Sequence, residues 1–125
     1  MNVADSSAWL EYFADGPNAG RFAAAIEDVD HLVVPTICIL EVFKRVLQQR
    51  GEHEALQAAA LMRQGSVHEL TIEIALDAAR IGTALKLPLA DSVVLATAQK
   101  HGGVLWTQDS DFDGIENVKY FVKKK

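Results

Sequence analysis

Short apolar runs of strand length alternate along this chain with longer segments whose apolar residues recur at helical spacing. Asn2-Val3-Ala4-Asp5 reads as a short buried strand, and Ser6 or Ser7 can cap the helix Ala8 to Phe13 that follows. Gly16-Pro17-Asn18 breaks the pattern. A helix over residues 19 to 28 comes next, then His31-Leu32-Val33-Val34-Pro35 as the second strand. Thr36 can cap a helix from Ile37 to Gln49, in which Leu40, Phe43 and Leu47 mark one face and Gly51 supplies the stop. A further helix spans 53 to 64 and Gly65 closes it, Val67 to Leu70 is a strand, and Thr71 can cap an Ala-rich helix to Lys86. Pro88 forces a break. Residues 90 to 101 are the last long helix, Val104-Leu105-Trp106-Thr107 the next strand, 108 to 115 a polar turn or short helix, and Val118 to Val122 the final strand.

Strands that alternate with helices predict an α/β fold: a mostly parallel central sheet of about 4–5 short strands with helices on both faces. Neither repeats nor a Pro-, Gly- or Ser-rich linker divides the chain, so residues 1–122 are expected to form one domain, with 123–125 a mobile basic tail. In such a sheet, ligands bind outside the carboxyl ends of the strands. Asp5 follows the first strand, Glu41 lies one turn into the helix after the second, and Asp109 lies just beyond Thr107. Asp91 opens the helix after Pro88, whose amino terminus can face the same rim.

Two of these acids stand in apolar company, Ile39-Leu40-Glu41-Val42-Phe43 and Leu89-Ala90-Asp91-Ser92-Val93. Burying an ionised carboxylate costs several kcal/mol unless it is paired or holds a metal. Each acid alone has an ordinary explanation: Asp5 and Asp91 as helix caps, Glu41 paired with Lys44 or Arg45, Asp109 in a turn. Their joint arrival at one rim is what points to a site. No lysine or histidine recurs beside them, so a hard cation is the natural counter-ion, and oxygen-only ligation favours Mg2+ or Mn2+ over zinc. Asp111 is a further candidate ligand. His31, His53, His68 and His101 are scattered and read as surface or packing residues, as Trp106 does for packing.

Composition changes this picture in one respect. Half of the 125 residues are hydrophobic, enough for a packed core, but 12 basic residues against 17 acidic give a net charge of −5, the wrong sign for a protein that coats nucleic acid. Setting aside Asp5, Glu41, Asp91 and Asp109 leaves 12 against 13, so a polyanionic substrate is compatible with a metal-loaded site. Neither a signal peptide nor a transmembrane helix is expected, and the single Cys38, in Ile37-Cys38-Ile39-Leu40, reads as a buried hydrophobe in a cytoplasmic protein.

Val3-Ala4-Asp5-Ser6-Ser7, Pro35-Thr36 leading to Leu40-Glu41-Val42, Leu87-Pro88-Leu89-Ala90-Asp91-Ser92 with Ala96-Thr97-Ala98, and Leu105-Trp106-Thr107-Gln108-Asp109-Ser110-Asp111-Phe112 follow one another in an order and spacing that resembles the PIN-domain family. In particular the chain resembles the VapC-type toxins of toxin-antitoxin pairs. The resemblance implies that Asp5, Glu41, Asp91 and Asp109 are catalytic and bind metal, with Asp111 a less certain ligand. It also makes Thr107 an accompanying hydroxyl and Ser6 the polar position after the first acid. Many relatives carry Thr-Asn at Ser6-Ser7, a departure that bears on contacts around the ligands. The implied activity is metal-dependent hydrolysis of RNA, with a cognate antitoxin protein and a homodimer as the implied partnerships.

Two other readings compete. A receiver-like or phosphatase-like domain also gathers acids at strand ends, but it wants a late lysine or an Asp-x-Asp pair, and here Asp5 is followed by Ser6-Ser7. A catalytically silent binding module of the same fold would be expected to have lost an acid, and all four are present. Nothing in the sequence reads a 2′-hydroxyl, so DNA stands beside RNA as a target.

Overall fold

The amino-terminal run Asn2–Ala4 forms β1, which the parallel pairings place in the middle of the sheet. The computed structural model describes residues 1–124, so Lys125 of the basic tail lies outside the described residues. Five strands, β1, β2 (Leu32–Pro35), β3 (Ser66–His68), β4 (Val104–Thr107) and β5 (Val118–Tyr120), run in the order β3-β2-β1-β4-β5, every neighbouring pair parallel. The register sets Ala4 beside Trp106, Pro35 beside His68 and Thr107 beside Tyr120, so all the carboxyl ends reach one rim.

Consecutive residues of the inner strands are buried, Val3 and Ala4 in β1 and all of Leu32–Pro35, which requires both faces of the sheet to be covered. Six helices supply the cover: α1 (Ser6–Phe13), α2 (Ala19–Ile26), α3 (Thr36–Arg50), α4 (Glu52–Met62), α5 (Ile72–Leu85) and α6 (Leu89–Lys100). The residues from Ser92 to Ala98 of α6 are all buried, and this helix lies against β1, β2 and β4 with α5 packed behind it. Trp9, Phe22, Val33, Leu105 and Phe112 are among the fully enclosed residues of the main core. A smaller cluster of Ile74, Ala78, Val93 and Ala96 joins α5 to α6. Among the described residues no single helix is long and apolar enough to cross a membrane.

Several boundaries differ from the periodicity reading, each for a local reason. His31 belongs to a 3-10 turn, Val29–His31, because its ring bonds Asp28 and the chain extends only from Leu32. The third strand spans Ser66–His68 rather than 67–70, and it is an exposed edge strand, so burial could not mark its ends. The last strand ends at Tyr120, although the Phe121 amide still donates to the Thr107 carbonyl at 2.9 Å. Thr36 is the first helical residue and Pro35 the cap, without a side-chain bond, whereas Thr71 does cap α5 through Ile74 N at 3.2 Å. Gly51, at φ 90°, is the turn between α3 and α4, where a Cβ would be strained. His68 and His101, remote in sequence, meet with ring centroids 4.2 Å apart and planes tilted by 54°, a packing contact between β3 and the end of α6.

Gly65 approaches β2 so closely that a Cβ there would lie 2.8 Å from Val34 Cγ2 and 3.1 Å from the Leu32 carbonyl oxygen. Gly65→Ala is therefore expected to destabilise the protein by about 1–3 kcal/mol through overpacking. A shift of the urea midpoint at unchanged slope would show it, and an unchanged midpoint would contradict the close approach.

Candidate metal centre

The rim made by the strand ends carries the acids because a parallel sheet leaves no alternative for a residue that directly follows a strand. Asp5 ends β1 in extended conformation and is itself the cap of α1, its Oδ1 accepting from Ala8 N at 3.0 Å. Neither Ser6 nor Ser7 is the cap, since both already lie within the helix. Ser7 instead donates its hydroxyl to Asp5 Oδ1 at 2.7 Å, while Thr107 at the end of β4 donates to Asp5 Oδ2 at 2.6 Å. The Thr107 oxygen in turn accepts from Asp109 N at 2.9 Å, and Ser7 Oγ accepts from Gln108 N at 3.2 Å. Two hydroxyls thus tie the ends of β1 and β4 together through one buried carboxylate.

Beyond Thr107 the chain turns in a short 3-10 segment, Ser110–Phe112, anchored by buried Phe112. Asp109 caps this turn by accepting Asp111 N at 2.9 Å, which brings both carboxyls to the same side of the rim. Asp91, in the first turn of α6, completes a triad: Asp91, Asp109 and Asp111 each present a carboxylate oxygen within 4.8 Å of the others. Asp5 and Glu41 stand outside that triad yet close enough to act on it, since both raise the pKa of Asp91.

Electrostatics shows what this crowding costs. Burial, then the charges of Asp109, Asp5, Asp111 and Glu41, push Asp91 up to about 7. Asp5 is pushed up to about 6 by burial, against the hydrogen bonds of Thr107, Ser7 and Ala8 that favour its ionised form. Burial also raises Glu41, partly offset by the Ser6 hydroxyl, and Asp109 adds to the rise. Burial foremost, and then the charges of Asp5, Glu41 and Asp91, hold the enclosed Cys38 thiol well above its ordinary range. Among the described residues no lysine, arginine or histidine forms an ion pair with any of the five acids. An all-oxygen donor set, crowded and without a cation, fits a hard divalent ion.

The residues expected from sequence therefore converge, with two shifts of emphasis. Asp111 belongs to the tightest group although it is exposed, and Ser7 rather than Ser6 holds Asp5. Gln108 and Asn18 were not anticipated: fully buried Asn18 donates through Nδ2 to Gln108 Oε1 at 3.1 Å and steadies the backbone beside Asp109. Their only trace in the sequence is a polar residue beside each turn. Two grooves flank the rim, of about 600 and 500 Å³; Asp109 lines the second, and neither is lined by Glu41 or Asp91.

Residues 3–118 match the family model of the PIN domain. No curated protein sequence matches the chain at a significant level. Among solved structures, a toxin-antitoxin complex from Klebsiella pneumoniae superposes with a TM-score of 0.79 at 23% identity, covering 95% of this chain and 96% of that one. VapC20 of Mycobacterium tuberculosis, a sarcin-ricin loop cleaving toxin, gives 0.76 at 16% identity, with 93% and 95% covered. The DNA-bound VapBC of Salmonella typhimurium gives 0.75 at 12% identity, with 97% and 96% covered. At these identities the likeness is one of fold.

Raised carboxyl pKa values make a prediction with a definite sign. The folded chain holds the protons of Asp5 and Asp91 more tightly than the unfolded chain does, so the stability they contribute is full below pH 3.8 and is lost as pH rises through about 6 and about 7. In chelator the thermal midpoint is expected to fall between pH 5 and pH 8, both set from those two values, and Mn2+ should restore it more at the higher pH. A midpoint that ignores Mn2+ at every pH would contradict a cation-binding site.

Proposed function

This chain belongs to the PIN domain family, and from that membership and the acidic rim we propose that it is a VapC-type, metal-dependent endoribonuclease, its nuclease unit residues 1–122. The observation that carries the proposal is the set of three carboxylate oxygens, from Asp91, Asp109 and Asp111, within 4.8 Å of one another and, among the described residues, without an ion-paired cation. On this reading those three, with Asp5 and Glu41, hold Mg2+ or Mn2+. When bound, such a metal supplies activation of water and stabilisation of charge on the phosphodiester oxygens.

The chain's own part is positional. Ser7 and Thr107 spend their hydroxyl protons on the two oxygens of Asp5, so neither serves as a nucleophile, and the Asp5 carboxylate is held in one orientation. Asp109 is oriented by its bond from Asp111 N, and its backbone by Thr107. Glu41 and Asp91 come from α3 and α6, so closure of the site depends on four separate segments holding their places. Attack by water that displaces the 3′ oxygen leaves a 5′ phosphate on the cut end. That structural neighbours are toxin-antitoxin proteins supports a cognate antitoxin as partner, and from the resemblance to VapC-type toxins we propose a homodimer acting in the cytoplasm.

Asp91→Asn is expected to lower the rate of RNA cleavage by about 100-fold or more, and Thr107→Val, which only loosens Asp5, by about 10- to 100-fold. Cleavage of a panel of structured RNAs with Mg2+, with Mn2+ and with chelator checks both, and undiminished cutting by Asp91→Asn or in chelator would overturn the mechanism. Growth arrest on expression of the chain, relieved by co-expression of the neighbouring reading frame, is the expected outcome for a toxin. Arrest indifferent to that frame would count against it.

A further inference from the structure

We propose that Lys123 binds a backbone phosphate of the nucleic-acid substrate at the waist between the two grooves beside the acidic rim, an assignment that rests on the ribonuclease reading. Both grooves are lined by Ser7, Gln108 and Lys123, and by no other residue in common. The larger also meets Arg45, His53 and buried Glu11, and the pair Arg50–Glu54 at 3.4 Å, while the smaller leads to Asp109. Lys123 is the one cation common to both, and it makes no ion pair among the described residues.

The backbone that carries Lys123 is tied down. Phe121 N donates to the Thr107 carbonyl at 2.9 Å, and the Val122 carbonyl accepts from Asn18 Nδ2 at 3.0 Å. That same amide group bonds Gln108 Oε1, and Gln108 N bonds Ser7 Oγ, which in turn holds Asp5. The Arg21 guanidinium lies over the Phe121 ring, 5.2 Å from its centroid, and clamps the segment from outside. Lys123 therefore begins one residue beyond an anchored carbonyl, at a fixed distance along the chain from the acids.

A polyanion approaching five carboxylates needs positive charge next to them. Lys123 supplies it where the grooves meet, and Arg45 continues it along the larger groove, where Arg50 is paired with Glu54, so a strand lying in that groove passes Lys123 before it reaches Asp109. The groove volumes, about 600 and 500 Å³, are in the range of sites that hold a small ligand each.

The test measures binding apart from cutting. A short labelled single-stranded RNA is titrated in chelator with the full chain, with Lys123→Gln, with Lys123→Arg and with Arg63→Gln, an exposed cation that lines neither groove. Lys123→Gln should bind about fivefold more weakly at 0.1 M salt and lower the salt slope by about 0.7, the value of one phosphate contact on a single strand. Lys123→Arg should restore both, and Arg63→Gln should match the unaltered chain. Equal affinity and slope for Lys123→Gln would overturn the assignment, as would a loss confined to binding the product of the neighbouring reading frame. If RNA binds with this dependence but is not cut when Mg2+ or Mn2+ is added, the nuclease reading falls and the Lys123 contact stands. If the unaltered chain binds no RNA in chelator, the Lys123 assignment falls, and the nuclease reading is decided separately by cleavage with Mg2+ or Mn2+.

Discussion

The burial of carboxylates that share one rim, together with the repulsion among them, is the constraint on which the rest of this structure turns. Burial first, and then the charges of Asp109, Asp5, Asp111 and Glu41, lift Asp91 to about 7, and burial is the main cause of the rise at Asp5. In an isolated fold such a cluster only costs stability, because each ionised group is desolvated and faces like charges. The cost becomes intelligible when the same oxygens are taken as a socket for a cation. Among the described residues no lysine or arginine pairs with the rim, although 12 are present in the chain, which is the condition a socket for an ion from solution would require.

Holding the cluster together requires a scaffold that resists this repulsion. The parallel sheet does it by topology: β1 sits between β2 and β4, so Asp5 is flanked on one side by the start of α3, which bears Glu41, and on the other by Thr107. Local bonding then fixes the members. Asp5 accepts three hydrogen bonds, from Ser7, Ala8 and Thr107, which lower its pKa against the pull of burial and hold the carboxyl in one orientation. Asp109 is held through Asp111 N, and fully buried Phe112 pins the turn that carries both. The central helix α6 is enclosed from Ser92 to Ala98, which leaves half-buried Asp91 in its first turn to face the rim.

Much of this was legible in the sequence because the determinants are local. Strand runs such as Leu32–Pro35 and Val104–Thr107, the breaks at Pro88 and Gly51, and the cap at Thr71 are each set by a few neighbouring residues. Glu41 and Asp91 stood out because acids rarely sit in apolar segments, and Asp5 and Asp109 because they follow strands. What escaped depends on contacts across the chain. Whether Ser6 or Ser7 faces Asp5 is decided by the direction of the first helical turn, and the fact that Asp5 is itself the cap moves each of them one step inward. Asn18 meets Gln108 and Val122 across roughly ninety and a hundred residues, separations that no periodicity encodes. The edge strand β3, exposed at Ser66 and Val67 and only half-buried at His68, has no burial pattern to reveal its ends.

Whether the rim is a metal socket can be seen directly. Crystals soaked in MnCl2, with data collected at the manganese edge, should show anomalous density among the carboxylates of Asp91, Asp109 and Asp111, at the roughly 2.0–2.3 Å spacing of hard-cation oxygen ligation. Density at that place, lost in crystals of Asp91→Asn, is the predicted result. Fully soaked crystals with no density at the rim, or with manganese bound only elsewhere on the surface, would contradict the central claim.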